Sequence, residues 1–237
     1  MNILAIDTSQ NSLSLALSSP NGIFQTEMDA GQRHSELLMD SVDKLFISAK
    51  IKPNKLELAA CMKGPGSFTG LRIAYAAVKG LSLSLGIPYA AVPTLDCIAL
   101  PHSQWPGLVL AVLDAKKNCF FASFYSNGQR LCEYMDADAQ TILNVYSALT
   151  QKACSQEVCA LTEQSLLVSG SGAELFISKI NDLELKEKIV LDPLHSKGRS
   201  LEILQFLNNN DNIKYIEDKM SAPLYLRKSD AELNIYS

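Results

Sequence analysis

Two aspartates stand where a phosphate-handling enzyme would need them. Asp7 closes the apolar run "NILAID" at 2–7 and is followed at once by Thr8 and Ser9, and Asp114 closes "LVLAVLDA" at 108–115. A carboxylate at a strand end can hold a metal-bound phosphate while hydroxyls in the next turn donate to its oxygens. Asp, Thr and Ser are equally the residues that build ordinary turns by bonding their own backbone. Behind Asp114 come Lys116 and Lys117, where a phosphate turn needs small side chains. The two carboxylates would act as a pair only if a cleft joined them.

A second candidate is "CMKGPGSFTGLR" at 61–72. Its glycines sit between an apolar run and a helix start, as in a phosphate loop. No window fits Gly-x-x-x-x-Gly-Lys-Ser/Thr, and the spacing of Gly64, Gly66 and Gly70 has one residue too many for the dinucleotide fingerprint. A helix N-terminus still offers free N–H groups to an anion. The plainer role is geometric, with glycines turning the chain and Ser67 capping the helix. The three histidines, His34, His102 and His195, include no pair at metal-ligand spacing. The six cysteines at 61, 97, 119, 132, 154 and 159 form no CxxC pair, and no Gly-x-Ser-x-Gly elbow occurs. No metal or catalytic residue is expected.

The elements that position these residues follow a repeated plan. Runs at 2–7, 12–17 and 23–28 read as strands, with Asn21-Gly22 as a tight hairpin turn. A helical period over 33–50, a strand at 56–64, a helix at 67–85 and a strand at 88–92 complete a β-β-β-α-β-α-β order. The second half repeats it: strands at 108–115, 118–125 and 129–135, a helix near 137–150, a strand at 166–170, a helix opening at 171–172, a strand at 188–192 and a helix near 196–208. This implies an α/β chain of two halves, each a mixed sheet flanked by helices. The boundary falls in "PHSQWPG", giving units 1–104 and 105–237, with the last segment free to pack back on the first.

The chain has 237 residues, and its formal charge of -4 leaves only pairs such as Lys116-Lys117 and Arg227-Lys228 as basic clusters. That argues against unaided nucleic-acid binding. The N-terminus lacks a signal-peptide pattern and no run approaches a membrane span, so a cytoplasmic protein is expected. The helix at 67–85 is apolar nearly all round, and Leu37, Met39 and Ile47 widen the stripe of its neighbour. Such surplus surface is covered either by a protein partner or by the second half of the chain.

The strings "ILAIDTSQNSLSLAL", "QRHSELLMDSVDKLF", "KGPGSFTGLRIAYAAVKGLSLSLGIPYAAVPTL", "LDAKKNCFF", "SGSG" and "APLYLR" resemble the TsaB (YeaZ) family of tRNA threonylcarbamoyladenosine (t6A) synthesis. The resemblance is dense over residues 1–100 and survives as short islands beyond them. It implies the actin-like ATPase fold, with two RNase H-like halves. It also implies a non-catalytic scaffold that dimerises with TsaD and works with the ATPase TsaE. Together they support threonylcarbamoyl transfer to adenosine 37 of tRNAs reading ANN codons. By that reading tRNA is met only through the complex, the chain alone forms a homodimer, and ATP or ADP binds weakly if at all.

TsaD carries Asn-His-Leu-Glu-Gly-His after its Gly-Ile-Pro turn. Here Pro93-Thr94-Leu95-Asp96-Cys97-Ile98 stand instead, so both metal-binding imidazoles are missing and a metallopeptidase is not supported. The family's dimerisation helices map to 34–49 and 67–85. The expected contacts are His34, Leu37, Leu38, Val42, Leu45, Phe68, Leu71, Arg72, Tyr75 and Val78. The alternative is a weak ATPase or small-molecule kinase using Asp7, Thr8, Ser9 and Asp114.

Overall fold

A computed structural model describes residues 1–155, 165–209, 215–218 and 220–227; Cys159, Lys228 and the side chain of Cys154 lie outside the described set. The chain divides into two units, Met1–Cys97 with Gly198–Tyr225, and Ile98–Lys197 with Leu226–Ser237. The first crossing lies seven residues before the boundary read from the prolines, and the chain returns to the first unit at Gly198 and crosses back after Tyr225.

The first unit is a five-stranded sheet in the order β3-β2-β1-β4-β5. Its strands are β1 (Ile3–Asp7), β2 (Ser12–Ser19), β3 (Gly22–Asp29), β4 (Leu58–Gly64) and β5 (Tyr89–Pro93). The pairs β1/β2 and β2/β3 are antiparallel, and β1/β4 and β4/β5 parallel. Strands buried on both faces read as continuous apolar runs, which is why "ILAID" and "LAACM" show no alternation. Register pairs Ser19 with Gly22, so the β2–β3 loop residues are Pro20 and Asn21, not Asn21 and Gly22. The proline ring holds φ negative and rules out the mirror-image turn, and the positive φ of 122° falls to Gly22. At 127–128 an Asn-Gly turn of that kind does form, with φ of 49° at Asn127 and 72° at Gly128.

Helices α1 (His34–Ala49) and α2 (Phe68–Leu85) pack on one face of this sheet. Leu38, Val42, Leu45 and Ala49 recur at helical spacing and join Leu4, Ile6, Leu13 and Leu15 in one core. Ser67 caps α2, its hydroxyl accepting from the Gly70 N–H, and Gly86 ends it at φ 68°. The short α3 (Thr94–Ala99) follows β5.

The second unit repeats the topology: β6 (Val109–Asp114) pairs antiparallel with β7 (Cys119–Ser126) and parallel with β10 (Leu166–Ser169), which pairs parallel with β11 (Ile189–Leu191). The expected third strand is split into β8 (Gln129–Arg130) and β9 (Met135–Asp138), both on β7. Helices α4 (Ala139–Ser155), α5 (Ala173–Ser178) and α6 (Leu183–Glu187) complete it. Phe120 and Phe176 meet edge to face at 5.6 Å in its core. The last helix among the described residues, α7 (Ser200–Asn209), read above as closing the second cycle, packs instead on β1 and β2 of the first unit. Among the described residues, no helix is long and apolar enough to cross a membrane.

Candidate functional site

Asp7 ends β1 on the face opposite α1 and α2, fully buried with Thr8, while Ser9 is 3% exposed. Its two carboxylate oxygens are both engaged. Oδ1 accepts from the Ser9 N–H at 2.9 Å and the Ser9 hydroxyl at 2.6 Å. Oδ2 accepts from the Arg199 N–H at 2.8 Å, just before α7. The Thr8 hydroxyl donates to the Gly70 carbonyl at 2.7 Å, and the Ser67 N–H to the Ser9 carbonyl at 2.8 Å. The Asp7, Thr8 and Ser9 side chains are thus already bonded within the chain.

The glycines explain the loop. A Cβ on Gly70 would stand 1.9 Å from the Thr8 carbonyl oxygen, and one on Gly66 2.9 Å from Ser9. They are there so that the α2 start can press on the β1 end. The second unit does the same: a Cβ on Gly170 would lie 2.2 Å from the Val112 oxygen, and one on Gly172 2.7 Å from the Asp114 nitrogen. Asp114 itself is held by its own turn, accepting from Lys116 N–H at 2.8 Å and pairing with Lys116 Nζ at 2.6 Å. The residues present fit a packed turn in each unit and do not fit a nucleotide cradle.

The segment aligned with the family's metal ligands forms α3, where Thr94, Leu95, Cys97 and Ile98 are buried. None of these is an imidazole, and the donor set does not fit a divalent metal. Among the described residues, no cluster of three His, Cys, Asp or Glu side chains has metal-holding geometry. Burial pushes the Cys61 thiol far above the usual thiol range, with Glu217 and Asp7 adding to the shift; burial and then Asp96 do the same to Cys97. Lys79 beside Cys61 and Arg199 beside Cys97 pull the other way but are outweighed by burial, and thiols so buried are inert.

What remains is surface, and here the expected contacts need correction. His34, Leu38, Val42, Leu45, Leu71, Tyr75 and Val78 are buried in the chain's own fold. His34 faces the Ser12 carbonyl at 3.3 Å, tying α1 to β2. A residue on the sheet-facing side of a helix cannot also meet a partner. Leu37 and Phe68 are half-buried and Arg72 is exposed. Arg72 and Phe68 are engaged within the chain: the guanidinium carbon lies 3.7 Å above the Phe68 ring, and Nε donates to the Tyr225 hydroxyl at 3.1 Å.

Tyr225 ends a strap, described at 215–218 and 220–225, that returns over β4, β5 and α2. Glu217 N–H donates to the Tyr89 carbonyl, Leu224 N–H to the Lys63 carbonyl, and Lys79 Nζ to the Ser221 carbonyl. Lys63 pairs with Glu217 at 2.6 Å. Outside the strap, the outward apolar residues are a different set. Ala76, Gly80 and Leu83 are exposed on α2 beside half-buried Ile73 and Ala77, while Met39 and Ile47 are exposed on α1. Leu83 is 81% and Ile47 75% exposed. No helical pattern could select this stripe, because α2 is apolar on both sides.

Two 3-2-1-4-5 mixed sheets, one per unit, define a protein of the actin-like class with doubled RNase H-like halves. Known proteins agree. A family model described as TsaD, tRNA N6-adenosine threonylcarbamoyltransferase, matches residues 22–235. The tRNA threonylcarbamoyladenosine biosynthesis protein TsaB of Bacillus subtilis is 32% identical over 144 residues, which are 60% of this chain and 63% of that protein. The aligned part thus spans less than two thirds of that relative. The TsaB of Buchnera aphidicola subsp. Acyrthosiphon pisum is 25% identical over 225 residues, 90% of this chain and 96% of its own. The solved structure of YeaZ from Pseudomonas aeruginosa superposes with a TM-score of 0.71 at 21% identity, covering 95% of this chain and 99% of that one. The chain belongs to the TsaD family and falls with its TsaB members.

Proposed function

We propose that this chain is a non-catalytic scaffold of t6A synthesis, pairing with TsaD through α1 and α2 and working with TsaE. The names of its relatives support the pathway. The observation that carries the scaffold reading is the outward stripe of Ile73, Ala76, Ala77, Gly80 and Leu83. Small residues at its centre let a second helix approach closely, and large apolar ones flank them. The engaged Asp7 turn and the missing imidazoles favour a scaffold over a kinase or peptidase. Nucleotide binding is expected to be weak or nil, and a cytoplasmic setting follows from the role.

Two copies of the chain would meet through the same faces in the absence of TsaD. Two-fold packing would set the outward stripe of one copy against the same stripe of the other.

The test is co-purification with TsaD and a reconstituted t6A assay with and without the chain. Ala76→Arg and Leu83→Arg alter exposed positions and leave the fold intact. Each buries an unpaired charge at the interface, weakening the complex by about 3–5 kcal/mol. Leu38→Arg and Leu71→Arg instead strike the core and unfold the first unit. Wild-type recovery of TsaD by the Ala76→Arg chain would refute the surface assignment.

A further inference from the structure

Asp192 gathers a set of hydrogen bonds at the end of β11. Its N–H donates to the Val168 carbonyl at 3.0 Å, prolonging the β10/β11 ladder. Its Oδ1 accepts from the Leu194 N–H at 2.9 Å, and its Oδ2 from the Ser169 hydroxyl at 2.6 Å. The same Oδ2 faces His102 Nε2 at 3.1 Å, and the Asp192 carbonyl faces His195 Nδ1 at 2.8 Å. His195 reaches further, with Nε2 3.5 Å from Glu174 Oε1 on α5. Two of the chain's three histidines therefore converge on one aspartate, in a part of the fold that the scaffold role does not use.

Their place in the chain gives the cluster a consequence. The main segment of the second unit runs from Ile98 to Lys197, with Leu226–Ser237 added later, and His102 and His195 stand just inside the two ends of that main segment. Asp192 ties both ends to the β10/β11 edge. Because a carbonyl only accepts, His195 Nδ1 carries the hydrogen. In the neutral ring Nε2 is then a bare lone pair turned toward the Glu174 carboxylate, with no attraction to offer. Protonation puts a hydrogen and a charge on Nε2 and creates an ion pair. His102 donates from Nε2 to Asp192 in either state, and protonation turns that neutral bond into a charge-assisted one. Among the described residues, Asp192 from the β11 end and Glu174 from α5 are the charged groups set against the two rings.

We propose that Asp192, His102, His195 and Glu174 form a pH-responsive clamp on the two ends of the 98–197 segment of the second unit. It tightens as the medium acidifies. The sign follows from the geometry: each ring attracts its carboxylate more strongly once the ring carries an added proton and while the carboxylate carries none.

The test is hydrogen exchange on the full chain at pH 5.5 and 7.5, read as protection factors for amides 193–197. The Glu174 side chain is 72% exposed, so its ion pair is screened and modest. Protection should rise about two- to five-fold at the lower pH in the wild type, and the rise should shrink in 0.5 M salt. Glu174→Gln, a surface change that leaves the fold intact, should flatten the response, and His195→Gln should do the same. Equal protection at both pH values in the wild type, or an undiminished rise in Glu174→Gln, would overturn the proposal. Neither readout depends on TsaD.

Discussion

Replacing Gly70 by alanine, and separately Gly80 by alanine, makes the same chemical change twice on one helix with opposite expected signs. In a helix interior the exchange favours the folded state by about 0.8–1 kcal/mol, because alanine loses less backbone freedom. At Gly80 nothing lies within 4 Å of the new methyl, so the full gain is realised. At Gly70 the methyl stands 1.9 Å from the Thr8 carbonyl oxygen, against a normal contact of 3.4 Å or more. The start of α2 must then retreat by about 1.5 Å, an overpacking strain of about 1–3 kcal/mol. The retreat also stretches the buried 2.7 Å bond from the Thr8 hydroxyl to the Gly70 carbonyl. Leaving those groups unpaired adds about 1–3 kcal/mol.

After the helix gain is subtracted, Gly70→Ala should be less stable by about 1–5 kcal/mol. For a chain of this length each kcal/mol moves the melting temperature by about 2–4 °C. Circular dichroism melts at neutral pH should therefore rank Gly80→Ala above wild type and Gly70→Ala well below it. A Gly70→Ala chain that melts with the wild type would refute the packing account and return the loop to candidacy as a ligand cradle. If Gly80 also lies against a partner helix, Gly80→Ala should weaken TsaD capture while stabilising the isolated chain.

Other outcomes follow from single residues. Ser67→Ala removes the α2 cap and should cost about 1 kcal/mol in chemical denaturation. Cys61 and Cys97 should resist alkylation at pH 8 in the native chain and react on unfolding, as read by mass spectrometry; rapid native labelling of either would contradict their burial. Asp138 accepts from the Thr141 N–H at 2.7 Å, and that backbone bond holds its carboxyl below the usual range. Its contribution is thus present above the ordinary carboxylate pKa and lost as the pH falls through the lowered one. The stability difference between wild type and Asp138→Ala should be steady from pH 7 to 5 and shrink below about pH 4. A difference that grew with acid would refute the assignment.

Much of the fold was legible because its strands are short apolar runs punctuated by turn residues, and the periodicity of α1 marks a single apolar stripe. Leu38, Val42 and Leu45 could be read as one face from spacing alone; what spacing could not say was that this face belongs to the core and not to a partner. Pro20 defeated the hairpin reading for a local reason, since its locked φ moves the positive angle to Gly22. The recruitment of α7 by the first unit is non-local, and no pattern within 200–209 encodes which sheet it joins.

By itself the sequence determined the two-unit α/β plan, the family and the loss of both metal-binding imidazoles, since each depends on residue identity or period along the chain. Tertiary structure alone decided that the Asp7 turn is saturated by Gly70, Ser67 and Arg199, and that the outward stripe of α2 runs through Ala76, Gly80 and Leu83. The physical reason is shared. Hydrogen-bond saturation and the choice between two equally apolar helix faces depend on neighbours distant in sequence, and an all-round apolar helix carries no mark of which side the sheet will take.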